Sequence, residues 1–127
     1  YLGHRFTRVL RPIVLGSLID IITEVACSAP SPDSAAVTIK QTIVQYAGSM
    51  KLTPTERCNV LNEANYRLVF RMRDREDTPS TRYYWWRTLS AGYKPALRNR
   101  GYWSIGLNAM VGEERAAPLH HLFRRLR

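Results

Sequence analysis

At 127 residues, with 45% hydrophobic and 23% charged residues, the chain has the size and composition of one folded domain, which excludes a wholly disordered protein. Nineteen Lys and Arg against ten Asp and Glu give a net charge of +9 and a pI near 10.2, a balance that favours anionic partners: nucleic acid, anionic lipid or an acidic protein. The longest apolar stretch, from Pro12 to Ala29, is interrupted by Asp20 and Glu24, so no membrane span is expected.

Sixteen of the basic residues are Arg, Lys occurring only at Lys40, Lys51 and Lys94. Arg presents a planar fork to carboxylate or phosphate, and the bias suits fixed contacts; a genome rich in GC gives the same bias without any functional reason. Cys27 and Cys58 both fall in predicted helices, and their spacing suits buried free thiols in a reducing compartment better than a disulfide framework. A first residue of Tyr in place of Met is read as a processed or truncated N-terminus.

Helix signals dominate the first half. Pro12 suits a first helical position, and Val14, Leu15, Leu18, Ile19, Ile22, Val25 and Ala26 recur at helical spacing, which predicts a helix over about 12–27. Ser31, Pro32 and Asp33 supply a cap, an N1 proline and a first-turn acid. Ala36, Ile39, Ile43 and Ala47, with Val37 and Val44 beside them, then form an apolar face, and Gly48 suits the stop. The second helix is therefore expected over about 32–47.

The third start is the clearest, because "TPTE" places Thr53 at the N-cap, Pro54 at N1 and Glu56 at N3, a capping box with proline added. This helix is expected to run to Asp77, since Thr78 before Pro79 is disfavoured in the α region. Cys58, Leu61, Ala64, Leu68 and Met72 form its predicted core stripe, and Glu63–Arg67 and Arg73–Asp77 are predicted i,i+4 pairs.

After Pro79 the texture changes. Tyr83, Tyr84, Tyr93, Tyr102, Trp85, Trp86 and Trp103 fall among Gly92, Gly101, Gly106 and Gly112, which predicts short elements and turns. Arg82, Tyr84, Trp85, Leu89 and Ala91 are echoed 18 positions later by Arg100, Tyr102, Trp103, Leu107 and Ala109, and one echo does not make a repeat. Leu119, Leu122, Phe123 and Leu126 then stripe a short C-terminal docking helix. The expected fold is mainly α in a single domain, 1–127: a helical hairpin or three-helix unit (12–78), an aromatic-rich irregular segment (79–112) and the docking helix (113–127).

No nucleophile, Walker loop, GxGxxG, HExxH or GxSxG motif is present, so the expectation is a non-enzyme without cofactor. Cys27, Cys58, His120 and His121 lack the close Cys-x-x-Cys pairing of a zinc site, and no metal is expected. Two clusters remain as contact surfaces. Arg67, Arg71 and Arg75 stand at i, i+4 and i+8 on the third helix, with Arg82 and Arg87 bracketing the aromatics; these five are the candidate anion-binding residues. Tyr83, Tyr84, Trp85, Trp86 and Trp103 are the candidate interface aromatics. Four consecutive aromatics on a helix point around the whole axis, so "YYWW" cannot enter one core entirely. Their outward part suits a protein partner, single-stranded RNA or a membrane interface.

The stretch "NYRLVFRMRDR" looks in part like the motif of the mitochondrial LYR proteins, small helical accessory and assembly factors, through Tyr66, Arg67 and Arg71. It departs at Asn65, where the family has Leu, and it stands mid-chain instead of near the start. The resemblance implies an accessory role in mitochondria. With the Arg bias and the missing initiator Met, it leads to a non-catalytic accessory subunit of a large assembly, expected to be a mitochondrial respiratory-chain or ATP-synthase complex, at a membrane complex or in the matrix. Its expected partners are other subunits, with anionic lipid headgroups beside them. The alternative is a ribosomal or mitoribosomal protein holding rRNA through Arg and aromatic residues, against which stands the lack of a long basic tail.

Overall fold

The computed structural model describes residues 2–111, with side chains from Arg11 onward. Among the described residues are six helices and no strand: α1 (Leu2–Ser28), α2 (Pro32–Met50), α3 (Pro54–Asp74), α4 (Thr78–Ser90), α5 (Lys94–Leu97) and α6 (Arg100–Val111). The mainly α fold read from the sequence is the fold observed. The chain forms two compact units, one ending at Ala64 and the other beginning at Asn65, so α3 contributes to both.

In the first unit α1 packs against α2. Leu18, Ile22 and Ala26 are buried on α1, four residues apart, and Ala35, Ile39 and Ala47 are buried on α2. Removing the larger of these apolar side chains from water stabilises the fold by roughly 1.5–3 kcal/mol each. Two expected boundaries differ. Helix α1 begins well before Pro12, which lies inside it, although an interior proline leaves a carbonyl one turn earlier without its helical donor. Gly48 does not stop α2, which continues to Met50 and ends on Lys51 in the left-handed region at φ 51°.

The Ser31 cap forms as the sequence predicts, its Oγ accepting from the Ser34 N–H at 3.2 Å. So does the capping box of α3: the Glu56 N–H donates to Thr53 Oγ1 at 3.1 Å, and the Thr53 N–H donates to Glu56 Oε1 at 3.0 Å. Arg11 extends this box. Its guanidinium grips both Glu56 carboxylate oxygens and also donates to the carbonyls of Met50 (3.4 Å) and Lys51 (3.3 Å). One side chain of α1 thus joins the last carbonyls of α2 to the first turn of α3.

Helix α3 buries Val60, Ala64, Leu68, Val69 and Met72. Of the predicted stripe, Ala64, Leu68 and Met72 are buried, Leu61 is half-buried and Cys58 is exposed. The buried stripe runs through Val60, Ala64, Leu68 and Met72 at i, i+4 spacing, and Cys58 stands two positions out of that phase. Cys27 is buried, as expected, and forms no disulfide.

α3 ends three residues before Asp77. The Asp77 N–H donates to the Met72 carbonyl and the Glu76 N–H to Arg73, the bond pattern of a Schellman motif, with Glu76 in the left-handed position at φ 60°. Asp77 is consequently the N-cap of α4, accepting from the Ser80 N–H (3.2 Å) and hydroxyl (2.7 Å). It is therefore not the partner of Arg73, which pairs with Asp74 at 3.1 Å and lies over the Phe70 ring. Thr78 is the first helical residue and not a break, since a proline in the first turn has no earlier helical turn to clash with.

The segment expected to be irregular is instead three helices. α4 closes on Gly92 at φ 64° with a second Schellman pattern, Tyr93 N–H to Thr88 and Gly92 N–H to Leu89. α4 packs against α6, and α5 touches both. The predicted docking helix, with His120 and His121, lies outside the described residues.

Candidate interaction surface

Helix periodicity sorts the aromatic run. Ser80, Thr81, Tyr84, Trp85 and Thr88 form the buried face of α4. Its small polar members are satisfied locally: Thr81 Oγ1–H donates to the Asp77 carbonyl and Thr88 Oγ1–H to that of Tyr84, each at 2.8 Å. Tyr84 and Trp85 are 2% and 6% exposed, Tyr83 is half-buried, and Trp86 is 51% exposed. The expectation that "YYWW" cannot fit one core holds.

Trp85 is the hub of this unit. Its indole stacks on the Tyr102 ring, with centroids 5.1 Å apart and planes at 15°. Two hydrogen bonds cross in opposite directions: Trp85 Nε1–H donates to the Tyr102 carbonyl at 2.8 Å, and Tyr102 O–H donates to the Trp85 carbonyl at 2.7 Å. The large aromatic area and its polar handles are thereby buried together. Burial, reinforced by Tyr66, pushes the Tyr102 phenol well above the ordinary tyrosine range. Tyr66 meets Phe70, Tyr93 and Tyr102 edge-on and accepts a hydrogen bond from Asn99 Nδ2.

Two of the five candidate interface aromatics, Tyr84 and Trp85, are thus held in the unit's own interior. The outward aromatic surface narrows to Trp86 and Trp103, the latter 42% exposed. Both rings stand edge-on to Trp85, with centroids 5.3 and 5.8 Å from it, so the two exposed indoles flank one buried one. Trp103 is fixed further by donating Nε1–H to the Leu97 carbonyl at 2.9 Å.

The five candidate arginines are all exposed: Arg67 and Arg71 on α3, Arg75 just past its end, and Arg82 and Arg87 on α4. Arg87 lies over the Tyr83 ring at 5.3 Å and donates to its hydroxyl from Nε (3.2 Å) and one terminal nitrogen (3.1 Å), which fixes its guanidinium. Reading motif by motif missed a simpler signal. Residues 78–111 contain Arg82, Arg87, Lys94, Arg98 and Arg100 and no Asp or Glu, and all five cations are exposed. The tract that presents Trp86 and Trp103 is therefore uniformly positive, whereas Arg71 and Arg75 stand beside Asp74, Glu76 and Asp77.

Among the described residues no group of three His, Cys, Asp or Glu is placed to hold a metal ion, and no helix is long and apolar enough to cross a membrane. Comparison with known proteins gives no matching family, curated protein or solved structure.

Proposed function

We propose that the chain is a non-catalytic accessory subunit of a larger protein assembly, docked through Trp86 and Trp103. The observation that carries this reading is that two indoles remain outside a unit whose third, Trp85, is fully engaged. Water-exposed Trp beside Arg is the composition of interface hot spots. A respiratory-chain or ATP-synthase complex of mitochondria is the assembly we propose, on the Arg bias and the likeness of Tyr66, Arg67 and Arg71 to the LYR motif.

Native-abundance fractionation of the tagged chain tests this proposal. The expected result is migration in a large particle that resists RNase, with Trp86→Ala and Trp103→Ala releasing the chain. Migration as a free monomer overturns it. The acid-free tract supports the second reading, an rRNA-binding ribosomal protein, and a particle dissolved by RNase would select that one.

A further inference from the structure

We draw no further inference here: the strongest candidate, the exposed surface patch of Trp86 on α4 and Trp103 on α6, carries nothing more because nothing in the structure shows what covers it, the arginines around it fitting carboxylate and phosphate alike.

Discussion

The indole of Trp85 occupies the space in which a side chain at Gly106 would begin: a Cβ on Gly106 would lie 2.0 Å from Cε2 and 2.2 Å from Nε1 of that ring. Gly106 is buried in the middle of α6, where glycine is otherwise unfavourable. The close approach is what lets Trp85 reach the Tyr102 carbonyl one turn earlier. Gly106→Ala therefore forces the hub apart and should cost about 3 kcal/mol, at the upper end of overpacking effects. Gly16 on α1 is the internal control, because nothing lies within 4 Å of a Cβ there. Gly16→Ala should stabilise by roughly 0.5–1 kcal/mol. Urea denaturation of both variants checks the pair, and similar midpoints would show that Trp85 does not need Gly106.

The turn between α3 and α4 carries a second prediction. Glu76 sits at φ 60° in the position that glycine fills in most Schellman motifs, and that glycine does fill at Gly92 after α4. An L-residue there is held against its own Cβ by the cap bonds around it. Glu76→Gly should raise stability by about 0.5–1 kcal/mol, while Gly92→Ala should lower it by about 1 kcal/mol. Thermal melts of the two variants should move in opposite directions; a fall for Glu76→Gly would mean that its side chain contributes more than the strain costs.

Acid should act on the Arg11–Glu56 latch. The Arg11 hydrogen bonds, then the Thr53 N–H, hold the Glu56 carboxyl down at about 2, against an ordinary value of 4.5. A carboxyl depressed in the folded state contributes stability that is present above its unfolded value and lost as pH falls toward its folded one. The contribution is thus complete above about pH 4.5 and disappears between there and about pH 2. Glu56→Gln should be less stable at neutral pH, and its gap from the parent chain should close across that window. A constant gap down to pH 2 would place the effect in packing instead of charge.

Much of this architecture is legible in the residues, and the exceptions have physical causes. Ser31 and Thr53 announce α2 and α3 because caps are local hydrogen bonds written in adjacent residues. The end of α3 was not legible, since a left-handed Glu76 has no glycine to mark it and Asp77 serves the next helix. Residues 79–112 read as turns because four glycines look alike in sequence, yet Gly92 ends a helix and Gly106 makes room for Trp85 inside one. For the surface, periodicity told that part of "YYWW" stays outside, but only the packing of α4 on α6 decides that Trp86 is that part. The Arg11 latch joins residues 45 apart, and no local pattern reports such a contact.

Alkali supplies the last prediction, from the ring that Trp85 covers. Burial disfavours the charged phenolate of Tyr102, with Tyr66 adding to it, and the Tyr102 hydroxyl is committed as donor to the Trp85 carbonyl. Ionisation would remove that donor and leave a negative charge beside the carbonyl oxygen. A phenol raised in the folded state contributes stability that is present below its unfolded value, about 10, and lost as pH rises beyond it. In a spectrophotometric titration Tyr102 should ionise in a delayed phase, only with cooperative loss of the α4–α6 pair, seen as a simultaneous change in Trp85 fluorescence. Tyr102→Phe separates the two roles of the residue. It keeps the stack, deletes the hydrogen bond at a cost of about 1 kcal/mol, and should abolish the delayed phase. A delayed phase that persists in Tyr102→Phe would assign it to another tyrosine and remove Tyr102 from control of the alkaline transition.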